Sequence, residues 1–345
     1  MGAGMSEIAV IGAGAWGTAL SIVLGRRGSH RVRLWALEKE VQDSISCQRV
    51  NRLFLPEYTI PESVTVTGDF AQAVGGAAIV VSVMPSQHCR KLMQQMNSHL
   101  RPEMTIVSAT KGLEEDSLAR MSEVIRDVVS SARGFKPRIA ALSGPSFARE
   151  VARGDPTAVA VASADPSLAE TVQREFSDPR FRVYTNDDVV GVELGGALKN
   201  VIAIAAGVCD GLGLGHNSVA ALITRGLAEI TRLVVACGGR QETMSGLAGL
   251  GDLVLTCTGG LSRNRSVGVE LGRGRKLPEI IASMHGMVAE GVFTTHAAVA
   301  LAKQRGIEMP ISEQMHAILH QGKSPQEAIQ ELMSRTARGE TRQTG

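Results

Sequence analysis

The stretch Ile8-Ala-Val-Ile-Gly-Ala-Gly-Ala-Trp-Gly-Thr-Ala-Leu-Ser-Ile-Val-Leu24 decides the fold of the first half of this chain. Four apolar residues typical of a buried strand are followed by the pattern GxGxxG and then by residues of helical character. In a dinucleotide-binding turn, Gly12 allows the tight bend, Gly14 lets the backbone approach a pyrophosphate, and Gly17 lets the helix pack on the strand. The free N–H groups at the start of the helix then face the phosphates. The stretch therefore predicts a nucleotide site, with a glycine-rich structural turn as the alternative.

Further short apolar segments indicate how this strand continues into a sheet. They span residues 31–35, 78–83, 105–109, 138–142, 157–162 and 181–184, and helical stretches separate them. Alternating strands and helices predict a Rossmann-like, doubly wound, mostly parallel sheet. Because ligands bind outside the carboxyl ends of such strands, we expect Lys111, Gly144 and Ser146 at the same edge as the glycine turn. A solvated loop lysine is the alternative for Lys111.

The residues after the second strand bear on the choice of cofactor. An acidic residue here would accept a hydrogen bond from the adenosine ribose, whereas a basic residue would favour a 2′-phosphate. Glu38 favours NAD, and Lys39 keeps NADP open. A solvated pair of these two side chains explains them equally well.

From Asp188 onward the pattern is helical. The helical stretches cover residues 189–208, 219–237, 278–284, 294–305, 311–320 and 325–333. We therefore predict a dinucleotide-binding domain over residues 1–188 and an all-helical substrate and catalytic domain over residues 189–345. The first residues, 1–6, and the last ten, 336–345, are predicted to be a disordered leader and tail.

Residues 189–208 are nearly all small and apolar, and their only charges are Glu193 and Lys199. A buried ammonium costs several kcal/mol unless partners surround it, and desolvation lowers its pKa toward neutrality. Lys199 is therefore a candidate for proton transfer, the alternative being a lysine that reaches the surface beside Glu193. A membrane span is disfavoured, because the glycines of the stretch make a poor lipid-facing helix and no basic loop flanks it.

Two loops in the helical half carry polar side chains. Asp252 ends the glycine-rich residues 246–251 and is interpreted as a helix N-cap, as the partner of a buried lysine, or as both, with capping favoured. Ser262, Arg263 and Asn264 combine hydroxyl, guanidinium and amide groups that suit a phosphate monoester. A polar surface turn is the favoured interpretation of this triplet in isolation.

Composition excludes several classes of function. The chain has 345 residues, 44% of them hydrophobic and 20% charged, which is ordinary for a globular protein. The net charge of +2, without a basic run, gives no sign of nucleic-acid binding. None of the five cysteines forms a CxxC pair, so neither a zinc site nor a disulfide framework is indicated, which fits a reducing cytosol.

Blocks of sequence along residues 8–333 resemble the bacterial NAD(P)-dependent glycerol-3-phosphate dehydrogenases. They are GAGAWGTAL, SATKGLE, LSGPSFAREV, ELGGALKNVIAIAAG, NSVAALITRGL, GLAGLGDLVLTC, LSRNR and MPISE. The resemblance implies NAD(P)H-dependent, reversible reduction of dihydroxyacetone phosphate to sn-glycerol 3-phosphate for phospholipid synthesis. It also implies a cytoplasmic homodimer without a metal, a nucleic-acid partner or stable membrane insertion.

The resemblance also implies roles for individual residues. Lys199 matches the catalytic proton donor and acceptor, assisted by Asp252 and Lys111. The implied substrate contacts are Lys111, Gly144, Ser146, Lys199, Asp252, Ser262, Arg263 and Asn264. The implied cofactor contacts are Gly12, Gly14, Ala15, Trp16, Gly17, Glu38, Lys111, Ala148, Arg263, Val288 and Glu290.

Departures from the family pattern and rival functions remain. Ala15 stands where the family often has serine, and Leu37 and Glu38 stand where it often has basic residues, which leaves the NADP preference open. One rival is a related two-domain hydroxyacid dehydrogenase, which would need a carboxylate-binding site. The other is a non-catalytic NAD(P)-binding sensor, which would not need Lys199, Asp252 and Arg263 together.

Overall fold

The computed structural model of the chain describes residues 6–284, 287–336 and 339. The leader over residues 1–5 and most of the predicted tail lie outside the described residues. The strands are β1 (Ser6–Ile11), β2 (His30–Trp35), β3 (Val50–Asn51), β4 (Leu55–Thr59), β5 (Val64–Thr67), β6 (Ile79–Ser82), β7 (Thr105–Ser108), β8 (Arg138–Ser143), β9 (Thr157–Ala162) and β10 (Phe181–Asn186).

Helices separate most strands of the first half, and they are the regular elements found in the described part of the second half. They are α1 (Ala15–Arg26), α2 (Lys39–Gln48), α3 (Phe70–Val74), α4 (Cys89–Met96), α5 (Met121–Arg133), α6 (Ala148–Arg153), α7 (Pro166–Phe176), α8 (Val189–Gly211), α9 (His216–Ala236), α10 (Gln241–Met244), α11 (Asp252–Thr258), α12 (Arg263–Gly272), α13 (Leu277–Ala282), α14 (Glu290–Gln304), α15 (Pro310–Gln321) and α16 (Pro325–Ser334). Short 3₁₀ turns lie at Ser86–His88 and Asn97–His99, and a π-helical turn lies at Leu247–Gly251.

The predicted fold class is confirmed by an eight-stranded sheet in the order β10-β9-β8-β7-β6-β1-β2-β5. All neighbours are parallel except β8 and β9, which are antiparallel. Strands β6 and β7 are buried on both faces, as parallel strands covered by helices must be. Helices α1, α2, α6 and α7 cover one face, and α3, α4 and α5 cover the other.

Three strands are absent from the sequence prediction. β5 lies at the edge of the large sheet, and β3 and β4 form a separate two-stranded sheet. β4 has the partly exposed sequence LPEYT, and β5 is only four residues long. Such short segments are too exposed to give a clear apolar run.

Helix α8 is the centre of the helical region. Almost every residue from Gly191 to Cys209 is buried, and α9, α11, α12 and α14 pack around it. The helix is long and apolar enough to cross a membrane, but 83% of its apolar window is buried inside the protein. It is a core helix.

Glycines allow α8 and α12 to cross at close range. A Cβ at Gly207 would lie 2.0 Å from the carbonyl oxygen of Arg265, and one at Gly268 would lie 1.9 Å from that of Ile204. Only glycine fits at either position, since real Cβ atoms do not approach so closely. This crossing sets the position of the N-terminus of α12 beside α8.

Candidate active site

The carboxyl ends of β1, β6, β7 and β8 lie at one edge of the sheet because these strands are mutually parallel. Gly12 directly follows β1, Lys111 follows β7, and Gly144 directly follows β8. Gly12 has a φ of +122°, and a Cβ there would lie 2.8 Å from the carbonyl oxygen of Val83 in the loop after β6. The structure thus brings the glycine turn and the Lys111 and Gly144 loops to the same edge.

The glycine turn fits a dinucleotide pyrophosphate. A Cβ at Gly17 would lie 1.9 Å from the carbonyl oxygen of Gly12, so α1 can begin directly after the turn only with glycine there. Gly14 is the N-cap of α1, without a side-chain cap, and nothing lies within 4 Å of where its Cβ would be. The buried Nε1 of Trp16 has no hydrogen-bond partner among the described residues. With Ala15 at the first position of α1, the turn offers unsatisfied donors to an anion.

Glu38 and Lys39, the residues predicted to influence the choice of cofactor, lie at the start of α2. Glu38 occupies the N-cap position without a capping hydrogen bond. Lys39 is exposed and forms an ion pair with Asp43 one turn later, with 2.8 Å between the charged atoms. Glu38 is therefore not neutralised by Lys39, and the adjacent Leu37 is 69% exposed.

Two lysines and one aspartate form the centre of the site. Lys199 Nζ, on α8, donates to Asp252 Oδ1 at 2.5 Å and to Thr256 Oγ1 at 2.8 Å. Lys111 Nζ donates to Asp252 Oδ2 at 2.7 Å and to the carbonyl oxygen of Gly144 at 3.0 Å. Asp252 therefore joins a lysine of the sheet edge to a lysine of the core helix.

Burial and charge shift the pKa values of this cluster. Desolvation lowers the pKa of Lys199 to about 8; Asp252 opposes the shift, and the charge of Lys111 adds to it. Desolvation acts to raise the pKa of Asp252, but the two lysines outweigh it and hold that pKa below its ordinary value. Lys199 can therefore exchange a proton near neutral pH while Asp252 stays ionised.

Two sequence interpretations of these residues are wrong. Gly251, not Asp252, is the N-cap of α11, and Asp252 is the first residue of the helix, with its carboxylate turned to the lysines. Lys199 is only 6% exposed, so it does not reach the surface beside Glu193. Glu193 instead accepts hydrogen bonds from Arg120 and Ser122 at the start of α5.

The triplet at residues 262–264 begins a helix and is not a surface turn, because two of its side chains are buried. Ser262 is the N-cap of α12 and accepts from the backbone N–H of Arg265 at 3.2 Å. Asn264 donates to Asn200 Oδ1 at 2.9 Å and accepts from the N–H of Gly291 at 2.9 Å. The N-terminus of α12 is thereby tied to the residue that follows Lys199.

Arg263 is the first residue of α12 and lies within range of the charge of Glu290, the first residue of α14. Arg263 is exposed to solvent. Partial desolvation by the surrounding protein nevertheless lowers the pKa of its guanidinium, and the charge of Glu290 opposes this shift. Glu290 accepts from the N–H of Ser86 at 3.2 Å and from its hydroxyl at 2.7 Å, and burial raises the pKa of its carboxyl. Val288, two positions earlier in the chain, is half-buried. The hydrogen bonds between Ser86 and Glu290 link the loop after β6 to the helical region.

The remaining predicted residues lie in the loop that follows β8. Ser146 Oγ donates to the carbonyl oxygen of Gly144 at 3.0 Å, the same oxygen that Lys111 contacts. Ala148 is the first residue of α6. The preceding Phe147 packs so closely on Gly259 that a Cβ there would lie 2.4 Å from its ring. The loop therefore borders the segment that leads to Arg263.

Sequence reasoning missed three residues of this site. Thr256 lies one helical turn after Asp252, a spacing that puts both on one face of α11 and could have been noticed. Asn200 stands beside Lys199 in the chain, but its bond to Asn264 had no sequence signal. Ser86 could not be linked to Glu290 across such a separation. Within the described residues, no group of three or more His, Cys, Asp or Glu residues is placed to hold a metal ion, and the cysteines are free.

Comparisons with known proteins show which family this chain is similar to. The family model described as the N-terminus of NAD-dependent glycerol-3-phosphate dehydrogenase matches residues 7–169, and the model of the C-terminus matches residues 188–330. A glycerol-3-phosphate dehydrogenase [NAD(P)+] of Koribacter versatilis is 71% identical, over 96% of this chain and 98% of the relative. One of Acidobacterium capsulatum is 57% identical, over 97% of this chain and all of the relative. The crystal structure of a glycerol-3-phosphate dehydrogenase from Coxiella burnetii is 43% identical, with a TM-score of 0.91 over 96% of this chain and 99% of that one.

Proposed function

Because the chain belongs to the family of NAD(P)-dependent glycerol-3-phosphate dehydrogenases, and is thus an oxidoreductase, we propose that it reduces dihydroxyacetone phosphate to sn-glycerol 3-phosphate with Lys199 as the proton donor. One observation carries the mechanism. Lys199 is a buried lysine with a pKa of about 8, hydrogen-bonded to Asp252 at the edge where the glycine turn lies.

The cofactor is NAD(P)H, which supplies a hydride when bound. We assign its pyrophosphate to the N-terminus of α1, because the turn there leaves free N–H donors and open space at Gly14. Glu38 would accept from the adenosine ribose and so favour NAD over NADP. The other residues proposed to hold the cofactor are Gly12, Ala15, Trp16, Gly17, Lys111, Ala148, Arg263, Val288 and Glu290.

The substrate phosphate belongs at the N-terminus of α12. Arg263 offers a guanidinium fork there, and the first turn of the helix adds backbone N–H donors. Ser262 and Asn264 complete this end of the site. Lys111, Gly144 and Ser146 would contact the remainder of the substrate. Binding energy from the phosphate, remote from the reacting carbon, then orients the carbonyl group.

Lys199 carries the proton transfer. Its ammonium donates a proton to the carbonyl oxygen of the substrate as negative charge develops on that oxygen, and accepts the proton back in the reverse direction. Asp252 holds the ammonium in place and favours its protonated form against the desolvation that opposes it. Lys111 shares the same carboxylate, so the two lysines are positioned together.

Replacement of Lys199 by alanine tests this assignment. We expect turnover of dihydroxyacetone phosphate with NADH to be abolished, while NADH binding, followed by its fluorescence, stays within about twofold of the parent. Lys91→Ala, at an exposed position of α4, is the matched control and should keep full activity. Near-normal turnover of the Lys199 variant would exclude the proposed role. Small hydroxy acids are assayed in parallel, and turnover of these compounds in place of dihydroxyacetone phosphate would indicate a hydroxyacid dehydrogenase. If the parent turns over neither kind of substrate, a non-catalytic sensor is favoured.

The family also suggests the roles of the two domains, the cellular location and the oligomeric state. We propose that residues 1–188 and 189–345 are the cofactor and substrate domains, and that the protein works in the cytoplasm, supplying glycerol 3-phosphate for phospholipid synthesis. Free cysteines are compatible with a reducing compartment. We also propose a homodimer, for which light scattering should give twice the chain mass of 36.4 kDa.

A further inference from the structure

Four arginines surround a cavity of about 630 Å³ at the end of the sheet opposite the glycine turn. Arg26 and Arg27 stand at the C-terminus of α1, Arg153 ends α6, and Arg180 directly precedes β10. Helix α1 begins at the cofactor edge, so its other end lies far from the catalytic lysines. None of these arginines has a part in the proposed reaction.

Helix ends explain part of this clustering. Arg26 Nη2 donates to the carbonyl oxygen of Ala152 near the end of α6, and Arg27 Nη1 donates to that of Ser177 after α7. Cations are favoured at helix C-termini, where carbonyl groups lack partners. A guanidinium has five N–H donors, however, and these contacts use only one from each arginine. Within the described residues these two guanidinium groups have no other hydrogen-bond acceptor, so their remaining donors can serve a ligand.

Arg180 directly precedes β10 and stands at no helix end, and its guanidinium lies close to that of Arg26. Arg180 Nη1 and Arg26 Nη1 lie 3.0 Å and 3.1 Å from the point where a Cβ of Gly154 would stand, so the two guanidinium groups flank the same glycine. Desolvation lowers the pKa of Arg26, Asp178 opposes this, and the charge of Arg180 lowers it further. Two cations are thus held together on one wall of the cavity.

Few carboxylates balance these charges. Arg153 pairs with Asp155, but within the described residues no carboxylate lies within ion-pair distance of Arg26, Arg27 or Arg180. Asp178 lines the cavity, and its Oδ1 accepts from the backbone N–H groups of Arg180 and Phe181 at 2.7 Å each. The carboxylate is therefore engaged with the turn before β10, and the cavity keeps an excess of positive charge.

We propose that this cavity, the arginine pocket, is a second anion site that binds a small, multiply charged phosphate compound. Its volume falls within the range of small-molecule sites. Guanidinium forks match phosphate oxygens in bidentate geometry, and several forks facing one space suit an anion with more than one phosphate charge. Among the residues that the structure describes, the lining includes two serines and one proline but no aromatic residue, so it offers no platform for stacking a nucleobase.

Calorimetric titration with inorganic tripolyphosphate tests the pocket. Saturating NADH and glycerol 3-phosphate are present throughout, so that the catalytic cleft is already filled. The double variant Arg153→Ala/Arg180→Ala should bind tripolyphosphate at least tenfold more weakly than the parent. Its KM values for NADH and dihydroxyacetone phosphate should remain unchanged, which also shows that it folds. The control Arg138→Ala/Arg182→Ala removes the same charge from exposed positions and should bind like the parent. Equal binding by the two double variants would overturn the proposal.

Vesicles identify the source of the phosphate group. If a lipid headgroup is the ligand, the parent should sediment with vesicles of phosphatidylcholine that contain phosphatidic acid. It should not sediment with phosphatidylcholine alone, and the Arg153→Ala/Arg180→Ala variant should sediment with neither kind of vesicle. Binding of tripolyphosphate without sedimentation would support the site with a soluble phosphate compound as its ligand. If the parent protein binds neither, the pocket is not an anion site.

Discussion

The ammonium of Lys199 donates to Oδ1 of Asp252 across 2.5 Å, and both side chains are buried. The other carboxylate oxygen accepts from Lys111, so one negative charge faces two positive charges and neutralises only one of them. A buried pair of this kind is costly to break, because the remaining charge loses its partner. The excess positive charge also favours a substrate that brings its own negative charge. The geometry therefore couples substrate binding to the protonation state of Lys199.

Asp252→Asn removes the charge while keeping the shape of the side chain. Without the carboxylate, desolvation and the charge of Lys111 act on Lys199 unopposed, so its pKa should fall below the value of about 8. We expect kcat for reduction of dihydroxyacetone phosphate to fall by about 10²–10³ at pH 7.5, as when one preorganised charge contact is lost. Fluorescence titration should show NADH binding within about twofold of the parent.

A matched control for this change is Asp187→Asn, at an exposed aspartate that pairs with Arg240. It should leave kcat unchanged. Activity of the Asp252 variant equal to that of this control would show that the carboxylate does not support catalysis.

The pKa of Lys199 predicts opposite pH profiles for the two directions. Reduction needs the protonated amine, so its kcat should decline as pH rises through about 8. Oxidation of glycerol 3-phosphate needs the neutral amine, so its kcat should rise over the same interval. The apparent pKa belongs to the coupled cluster of two lysines and one aspartate. Initial rates from pH 6 to 10, with saturating substrates, measure both limbs; parallel profiles in the two directions would contradict the assignment.

The glycine crossing of α8 and α12 predicts a different kind of defect. The methyl group added by Gly268→Ala would lie 1.9 Å from the carbonyl oxygen of Ile204, so the two helices must separate. Overpacking of this kind costs about 1–3 kcal/mol, and the N-terminus of α12 should move with the helix. We expect a lower Tm and a KM for dihydroxyacetone phosphate raised at least tenfold, with the Kd of NADH changed less. Gly215→Ala, with nothing within 4 Å of the new methyl group, is the control.

Sequence patterns were sufficient for the elements but not for their contacts. Periodicity indicated β1, β6, β7 and the long helix α8, because buried parallel strands and core helices are continuous apolar runs. It missed β5, whose four residues at the sheet edge alternate between valine and threonine. The resemblance implied the roles of Lys199 and Asp252. Only three-dimensional packing reveals that the carboxylate joins both lysines, since residues 111, 199 and 252 are brought together by the fold and not by local spacing.

The residue Glu38 predicts cofactor preference and can be tested directly. Its carboxylate is not paired with Lys39, so it would repel a 2′-phosphate and accept a bond from a ribose hydroxyl. Glu38→Arg should raise kcat/KM for NADPH relative to NADH by about tenfold or more. Glu40→Arg, at an exposed position of the same helix, makes the same charge change and should shift the ratio less. If Glu38→Arg leaves the ratio of kcat/KM for NADPH to that for NADH unchanged, Glu38 does not select the cofactor.

A buried carboxylate in the helical region predicts how stability responds to pH. Glu229, on α9, accepts from the backbone N–H groups of Ile311 and Ser312 at the start of α15, at 2.7 Å and 3.3 Å. Desolvation raises its pKa to about 7, although these N–H groups and Arg232 oppose the shift. The native state therefore binds more protons than the unfolded state between pH 4.5 and 7, and this group destabilises the fold increasingly as pH rises through that interval.

Glu229→Gln has no titrating group, so the stability of the parent relative to this variant should increase by on the order of 3 kcal/mol from pH 8 to pH 5. Urea unfolding at several pH values measures the difference, and the exposed Glu242→Gln should show a smaller change. A difference between parent and Glu229→Gln that does not vary with pH would mean that Glu229 titrates normally in the folded protein.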